Sequence, residues 1–216
     1  MNDIDLYKNK GLLRLSFGWN FKVWSKPFLE AQQYINNIPK DVLEIGAGKF
    51  SAASLVFHGL SERITIGYYT DDQKHAVENI VNEVCAKYPS NTVYIVEKID
   101  AFTINKKYDL VIMKSVLGGL FRLEKSSIND CNIFMQNLAS RTLRNEGTII
   151  TIDNGKSLFE KLILKFGARK NGWRFFIKNE LPCAQHQFYF GLLSAFTCET
   201  RLGFSGQLID NYIVAR

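Results

Sequence analysis

Asp41-Val-Leu-Glu-Ile-Gly-Ala-Gly-Lys-Phe-Ser51 is the stretch that decides the fold. From Val42 to Ile45 the side chains are β-branched or leucine around a single inner acid, Glu44, which is the composition of a buried strand. Gly46 and Gly48 follow at once, and a helical pattern runs from Ser51 to Leu60. Glycines let the backbone turn tightly and come close to a ligand, and a helix start presents unpaired N–H groups to it. Two glycines alone mark any turn. Between a buried strand and a helix they mark a nucleotide-type loop.

Outward from that loop the same rhythm repeats. Ile64–Ile66 reads as a second strand and Asp71 to about Lys87 as a helix; Thr92–Val96 and Asp109–Met113 read as the third and fourth strands. Asn129–Leu143 has helical spacing through Ile133, Met135, Leu138 and Leu143; Gly147–Ile152 is a fifth strand, and Leu158–Phe166 a further helix. Nearly continuous apolar strands separated by helices predict a parallel sheet covered on both faces. After Pro182 the pattern changes: Gln187–Thr200 and Gln207–Ala215, joined by Gly203-Phe-Ser-Gly206, read as a hairpin whose last strand is antiparallel. Residues 1–40, rich in aromatics (Phe17, Trp19, Phe21, Trp24, Phe28), read as a helical lead-in or lid on the sheet's upper edge, ahead of a main domain at 41–216.

At 216 residues the prior is one domain, and 46% apolar with 22% charged residues excludes a largely disordered chain. Lys and Arg outnumber Asp and Glu 27 to 21, and the resulting charge of +6 favours an anionic partner. The four cysteines, 85, 131, 183 and 198, contain no C-x-x-C pair, so neither a zinc site nor a disulfide framework is indicated. Met1-Asn-Asp-Ile-Asp5 is acidic where a signal peptide is basic, and no apolar run reaches the roughly 18 residues of a membrane span. A soluble, cytoplasmic protein without a membrane span is the expectation.

Val42-Leu-Glu-Ile-Gly-Ala-Gly48 resembles the first motif, acid-x-Gly-x-Gly, of the class I S-adenosylmethionine-dependent methyltransferases. Lys98-Ile-Asp-Ala101 and Lys107-Tyr-Asp-Leu-Val-Ile-Met113 are similar to their later motifs. Asn145-Glu-Gly147 is similar to the turn before their fifth strand, and the terminal hairpin to their reversed seventh strand. The resemblance covers roughly residues 40–216. It implies an α/β, Rossmann-like, seven-stranded and mostly parallel sheet with helices on both faces and a C-terminal antiparallel hairpin. It further implies that Glu44, Gly46, Ala47 and Gly48 cradle the methionine end of S-adenosylmethionine, that Asp100 with Ala101 reads its adenine, and that Lys114 and Ser115 form the floor. Dinucleotide dehydrogenases, which share the layout, normally carry an apolar residue where Glu44 stands. Two positions depart from the family pattern: Phe50 stands where a third glycine is frequent, and Tyr69 where an acid holds the ribose. Tyr69 itself, Asp71 or Asp72 is left for the ribose hydroxyls.

On the acceptor side, methyl transfer is an in-line displacement that requires alignment and, for a hydroxyl acceptor, a base. Lys114-Ser-Val-Leu does not resemble the Asn/Asp-Pro-Pro-aromatic motif of enzymes that methylate base amines, so a hydroxyl acceptor is favoured and nucleic acid disfavoured. Asp153-Asn154 reads in three ways: a polar turn capping a helix near Lys156, a general base at Asp153, or a metal-binding pair like that of catechol-type O-methyltransferases. Lys114, where those enzymes carry a carboxylate, would repel a divalent cation, so no metal is expected. Among the histidines, His58 and His75 read as scaffold and His186 as the second candidate base. Lys156, Lys161, Lys165, Arg169, Lys170, Arg174 and Lys178 face one acid, Glu160, and Gly167-Ala-Arg-Lys-Asn-Gly-Trp-Arg-Phe-Phe176 mixes cations with aromatics. A solvated helix face accounts for part of that stretch; phosphate and a sugar or planar ring suit the rest. It resembles the acceptor-side insert of methyltransferases acting on small molecules, including sugars of bacterial surface polysaccharides. The expectation is therefore an O-methyltransferase for a small anionic acceptor such as a nucleotide-linked or phosphorylated sugar. The alternatives are a non-catalytic cofactor-binding module, an RNA O-methyltransferase and, last, a reductase.

Overall fold

The strands are β1 (Asp41–Ile45), β2 (Arg63–Tyr68), β3 (Val93–Lys98), β4 (Tyr108–Lys114), β5 (Leu143–Asn154), β6 (Cys198–Arg201) and β7 (Asp210–Ala215), with helices α1 (Lys10–Phe17) and α2 (Asp71–Lys87). The structure is a computed structural model and describes residues 10–18, 21, 25, 28, 35, 37–114, 116, 134, 137–154, 198–201 and 210–215. All seven strands join one sheet in the order β3-β2-β1-β4-β5-β7-β6. β1 pairs in parallel with β2 and β4, β2 with β3, and β4 with β5, while β7 runs antiparallel to both β5 and β6. Strand order therefore reverses at β1, and the crevice outside the carboxyl ends of β1 and β4 is where such a sheet takes a ligand.

Register explains how the faces are filled. Val42, Ile64, Ile66, Leu110, Ile112 and Ile150 share one face and one core with Leu13 and Phe17 of α1, with 53–57, and with Val77, Val81 and Val84 of α2. The spacing of those three valines is the inner stripe of a helix. Leu43, Ile45, Val111, Met113 and Ile149 occupy the opposite face and are also buried. Phe28 joins the N-terminal aromatics to the first core, its ring 5.5 Å from Phe17 and 6.1 Å from Phe57. Leu13, Phe17 and Phe28 of the lead-in thus pack into the core. Trp19 and Trp24 lie outside the described residues.

The helix expected at 51–60 is a 3-10 turn over Ala53–Phe57. All of its residues are buried, so it has no polar face to support a longer helix, and Gly59 at φ +77° ends it. β5 also differs from expectation at both ends. The helical stretch 137–142 stops one residue early, because Leu143 already pairs with Tyr108. The register then shifts so that Leu110 meets Thr148, a bulge that absorbs the extra residues. Gly147 sits in it, where a Cβ would come within 3.0 Å of the Arg144 carbonyl oxygen. At the other end Asp153 and Asn154 continue the strand opposite Asn211 and Asp210, where β7 supplies a ladder partner. Of the expected hairpin, Cys198–Arg201 and Asp210–Ala215 are described and are strand; 187–197 and 202–209 lie outside the described residues. The expected helix at 158–166 and the basic stretch 156–178 lie outside the described residues.

The amino ends of the strands are tied by charge. Asp109 accepts the N–H groups of Lys40 and Asp41, each at 2.9 Å, and its second oxygen accepts from Arg144 at 2.9 Å. Arg144 and Arg63 both reach Asp41. Burial alone would push the Asp109 carboxyl up, but the Asp41 amide, Arg144 and the Lys40 amide outweigh it and hold the group below its ordinary value. A carboxyl depressed in the folded state stabilises above its unfolded pKa, and that contribution disappears as pH falls through the folded one. Asp109→Asn is therefore expected to flatten the loss of stability below about pH 4, measured by thermal melts across the acid range.

His58 is bonded into the fold through both ring nitrogens. A carbonyl only accepts, so His58 Nε2 carries the proton donated to the Tyr88 carbonyl, and Nδ1 accepts from the Tyr94 hydroxyl at 2.7 Å. Burial pushes the Tyr94 phenol up. His75 lies exposed on α2, 3.6 Å from Glu78. Among the described residues, no helix is long and apolar enough to cross a membrane.

Candidate functional site

At the carboxyl end of β1, Glu44 turns inward and is 1% exposed. One carboxylate oxygen accepts the Ala53 N–H at 2.8 Å; the other accepts the Ser54 N–H at 2.8 Å and the Ser54 hydroxyl at 2.6 Å. Burial holds this carboxyl above its ordinary value, and the hydrogen bonds from Ser54 and Ala53, with the charge of Lys114, offset only part of that. Three converging donors suit the ionised form, which accepts at both oxygens. Glu44 therefore braces the glycine loop by holding the start of the 3-10 turn. The amides that the sequence reading aims at a ligand are the ones Glu44 occupies, a correction to that expectation.

Between Glu44 and the turn, Gly46 has φ +75°, and a Cβ there would stand 2.9 Å from Val116. Ala47 donates its N–H to the Gly67 carbonyl at 2.9 Å, fixing the loop against the end of β2. Gly48 donates to the Ser51 carbonyl at 3.2 Å, and a Cβ built on it meets nothing within 4 Å. The loop is thus closely held on one side and open at Gly48. Gly18, just past α1, comes so near that a Cβ would stand 2.9 Å from the Phe50 carbonyl oxygen, so the lead-in touches this loop.

Tyr69 follows β2 and is 71% exposed, its N–H held by the side-chain oxygen of Gln73 at 2.9 Å. Asp71 opens α2 and is exposed. Asp72 is drawn away to Lys49 of the glycine loop, 2.9 Å from its ammonium, which holds its carboxyl below the ordinary value. After β3, Asp100 accepts the Phe102 N–H at 2.8 Å and the Thr103 hydroxyl at 3.1 Å, and Ala101 lies beside it. Lys114 ends β4 in register with Ile152, one residue before Asp153 on β5. Glu44, Gly46, Ala47, Gly48, Tyr69, Asp71, Asp100, Ala101, Lys114 and Asp153 are thereby all brought to the carboxyl side of β1–β5. For Asp153 the strand position alone is described; Ser115 and His186 lie outside the described residues. Among the described residues, no three of His, Cys, Asp and Glu stand together as a metal site would need.

Sequence reasoning missed Ser54, the Lys49–Asp72 pair and Arg141, whose guanidinium donates to the carbonyls of Ala101 and Phe102 beside Asp100. Ser54 had a signal, a lone hydroxyl inside the apolar run 52–57 with a lone acid in the preceding strand. The other two depend on how separate loops meet.

Similar architectures occur among solved structures. An S-adenosylmethionine-dependent methyltransferase described as putative, from Methanococcus maripaludis, superposes with TM-score 0.57 at 15% identity, over 100% of this chain and 94% of that one. Magnesium protoporphyrin IX methyltransferase from Synechocystis, solved with SAH bound, superposes with TM-score 0.56 at 14% identity, over 98% and 90%. This fold is a methyltransferase fold. The pyocyanin biosynthetic protein PhzM shares it at TM-score 0.55 and 12% identity over 88% of this chain, which spans 54% of that protein's length. No protein-family model and no curated protein matches the sequence.

Proposed function

We propose that this chain is an S-adenosylmethionine-dependent O-methyltransferase for a small anionic acceptor, such as a nucleotide-linked or phosphorylated sugar. The observation that carries the choice of cofactor is Glu44. A dinucleotide's pyrophosphate rests on the free N–H groups that open the helix after the glycine loop. Here the Ala53 and Ser54 amides are bonded to a buried carboxylate, so an anion at that place would meet another anion and find these donors taken. A cationic adenosyl sulfonium has neither conflict.

The remaining residues fit the same ligand. The open side of Gly48 gives the methionine end room beside a loop fixed at Ala47. Tyr69 and Asp71 stand at the end of β2 for the ribose. Past β3, the Asp100 carboxylate as acceptor and the Ala101 N–H as donor complement an adenine edge, which offers an amine and a ring nitrogen. When bound, S-adenosylmethionine supplies an electrophilic methyl carbon. The chain's own task is to align the acceptor hydroxyl and remove its proton. Asp153 at the end of β5 takes that role, with Lys114 and Ser115 as the floor and His186 as the second candidate for the base. Lys156 to Lys178 follow β5 directly in sequence and supply cations for the acceptor's phosphate.

The test is a methyl-transfer assay over paired acceptors, phosphorylated or nucleotide-linked sugars beside their neutral counterparts. Turnover confined to the anionic members is expected. Asp153→Asn is expected to lower kcat by about 100-fold while leaving cofactor affinity unchanged. Cofactor binding without turnover on any acceptor would instead mark a binding module. RNA binding whose log affinity falls steeply with log salt would point to a nucleic-acid acceptor.

A further inference from the structure

Arg141 is a half-buried cation at the end of the helical stretch 137–142 and reaches into the loop after β3. Its Nε donates to the Asn137 carbonyl at 3.0 Å, which fixes the side chain along its own helix. The two ends of the guanidinium then meet consecutive carbonyls, that of Phe102 and, at 3.4 Å, that of Ala101. The Ala101–Phe102 peptide is consequently held at both ends. Its C=O accepts from Arg141, and its N–H donates at 2.8 Å to Asp100 Oδ1. Asp100 Oδ2 is fixed from the other side by the Thr103 hydroxyl at 3.1 Å. The loop is anchored a second time by Phe102, whose ring centroid lies 5.2 Å from that of buried Phe134.

We propose that Arg141 is a positioning residue for base recognition: acting through the Ala101–Phe102 peptide, it sets the orientation in which Asp100 and Ala101 meet the cofactor's adenine. This inference rests on the assignment of Asp100 to adenine made above. Asp100 is exposed, and both hydrogen bonds that hold its carboxylate come from its own loop, so the carboxylate is only as fixed as that loop is. A guanidinium is suited to holding the loop, because its planar fork engages two carbonyls with little further loss of freedom. The consequence is selectivity. Adenine presents an amine to the carboxylate, whereas hypoxanthine presents a carbonyl oxygen there and an N–H where adenine has a ring acceptor. A fixed acceptor–donor pair rejects the second base; a loosely oriented pair does not.

The experiment compares S-adenosylhomocysteine with its inosine counterpart by calorimetric titration of the full chain, for wild type, Arg141→Gln, Arg141→Lys and Asp100→Asn. Wild type is expected to prefer the adenosyl ligand by at least about tenfold, and Asp100→Asn to abolish that preference. Arg141→Gln is expected to lose about tenfold on the adenosyl ligand and almost nothing on the inosyl one, so the preference collapses. Arg141→Lys, which keeps the charge and reaches one carbonyl, is expected at an intermediate preference. If Arg141→Gln weakens both ligands by the same factor, the residue is merely structural and the proposal is overturned. Full preference in the Lys variant overturns it as well, and that arm stands even where the Gln variant does not fold. A wild type that prefers neither base, or an Asp100→Asn variant that keeps the preference, overturns the adenine assignment itself, an outcome separate from failure at Arg141 alone.

Discussion

Glu44→Gln is expected to lower the stability of the fold by about 3 kcal/mol, the largest stability change foreseen for one substitution here. The wild-type carboxylate accepts from two backbone amides and one hydroxyl while 1% exposed. Glutamine retains one acceptor oxygen and turns an NH2 toward groups that themselves donate. At least one amide is then buried without a partner, beside a second donor. At the size of this chain such a loss corresponds to a fall of about 10 °C in Tm. Cofactor affinity is expected to fall with it, since the glycine loop and the 3-10 turn are joined through this carboxylate. A variant melting like wild type would mean that the buried acid does not brace the loop.

Gly48→Val has the opposite signature. A Cβ at Gly46 would require a left-handed backbone and a contact of 2.9 Å with Val116, so substitution there damages fold and site together. At Gly48 a Cβ meets open space, and φ does not demand glycine. A valine at that position leaves the core untouched but fills the side of the loop assigned to the methionine end. Thermal stability is expected to change by less than about 1 kcal/mol, while affinity for S-adenosylhomocysteine falls by at least about 100-fold. Unchanged affinity would show that the ligand does not approach the loop at Gly48.

What the sequence revealed and what it concealed follow from how local each signal is. β1 to β4 and α2 were legible because each carries its own periodicity; Asp71–Lys87 holds its valines one helical face apart, and Gln73 caps its start through the amides of Tyr69 and Thr70. The antiparallel end of the sheet was legible from the sequence Gly203-Phe-Ser-Gly206 between two extended patterns. The early start of β5 was concealed, because Leu143 fits a helical stripe and a strand equally well and only Tyr108 across the ladder decides. The 3-10 turn was concealed for a similar reason: Ala52 to Phe57 reads as a helix until the carboxylate of Glu44 claims its first amides. At the candidate site, the places of the glycine loop and of Asp100 on the carboxyl side of the sheet were readable from motif and position. Arg141 was not, since it meets Ala101 and Phe102 across 40 and 39 residues of chain.

The most direct test of the central claim is calorimetric titration of the purified chain with S-adenosylhomocysteine on one side and NADH on the other. The buried Glu44 carboxylate on the Ala53 and Ser54 amides predicts saturable binding of the adenosyl ligand at one site per chain and none of the dinucleotide. Tight retention of NADH together with indifference to the adenosyl ligand would contradict it.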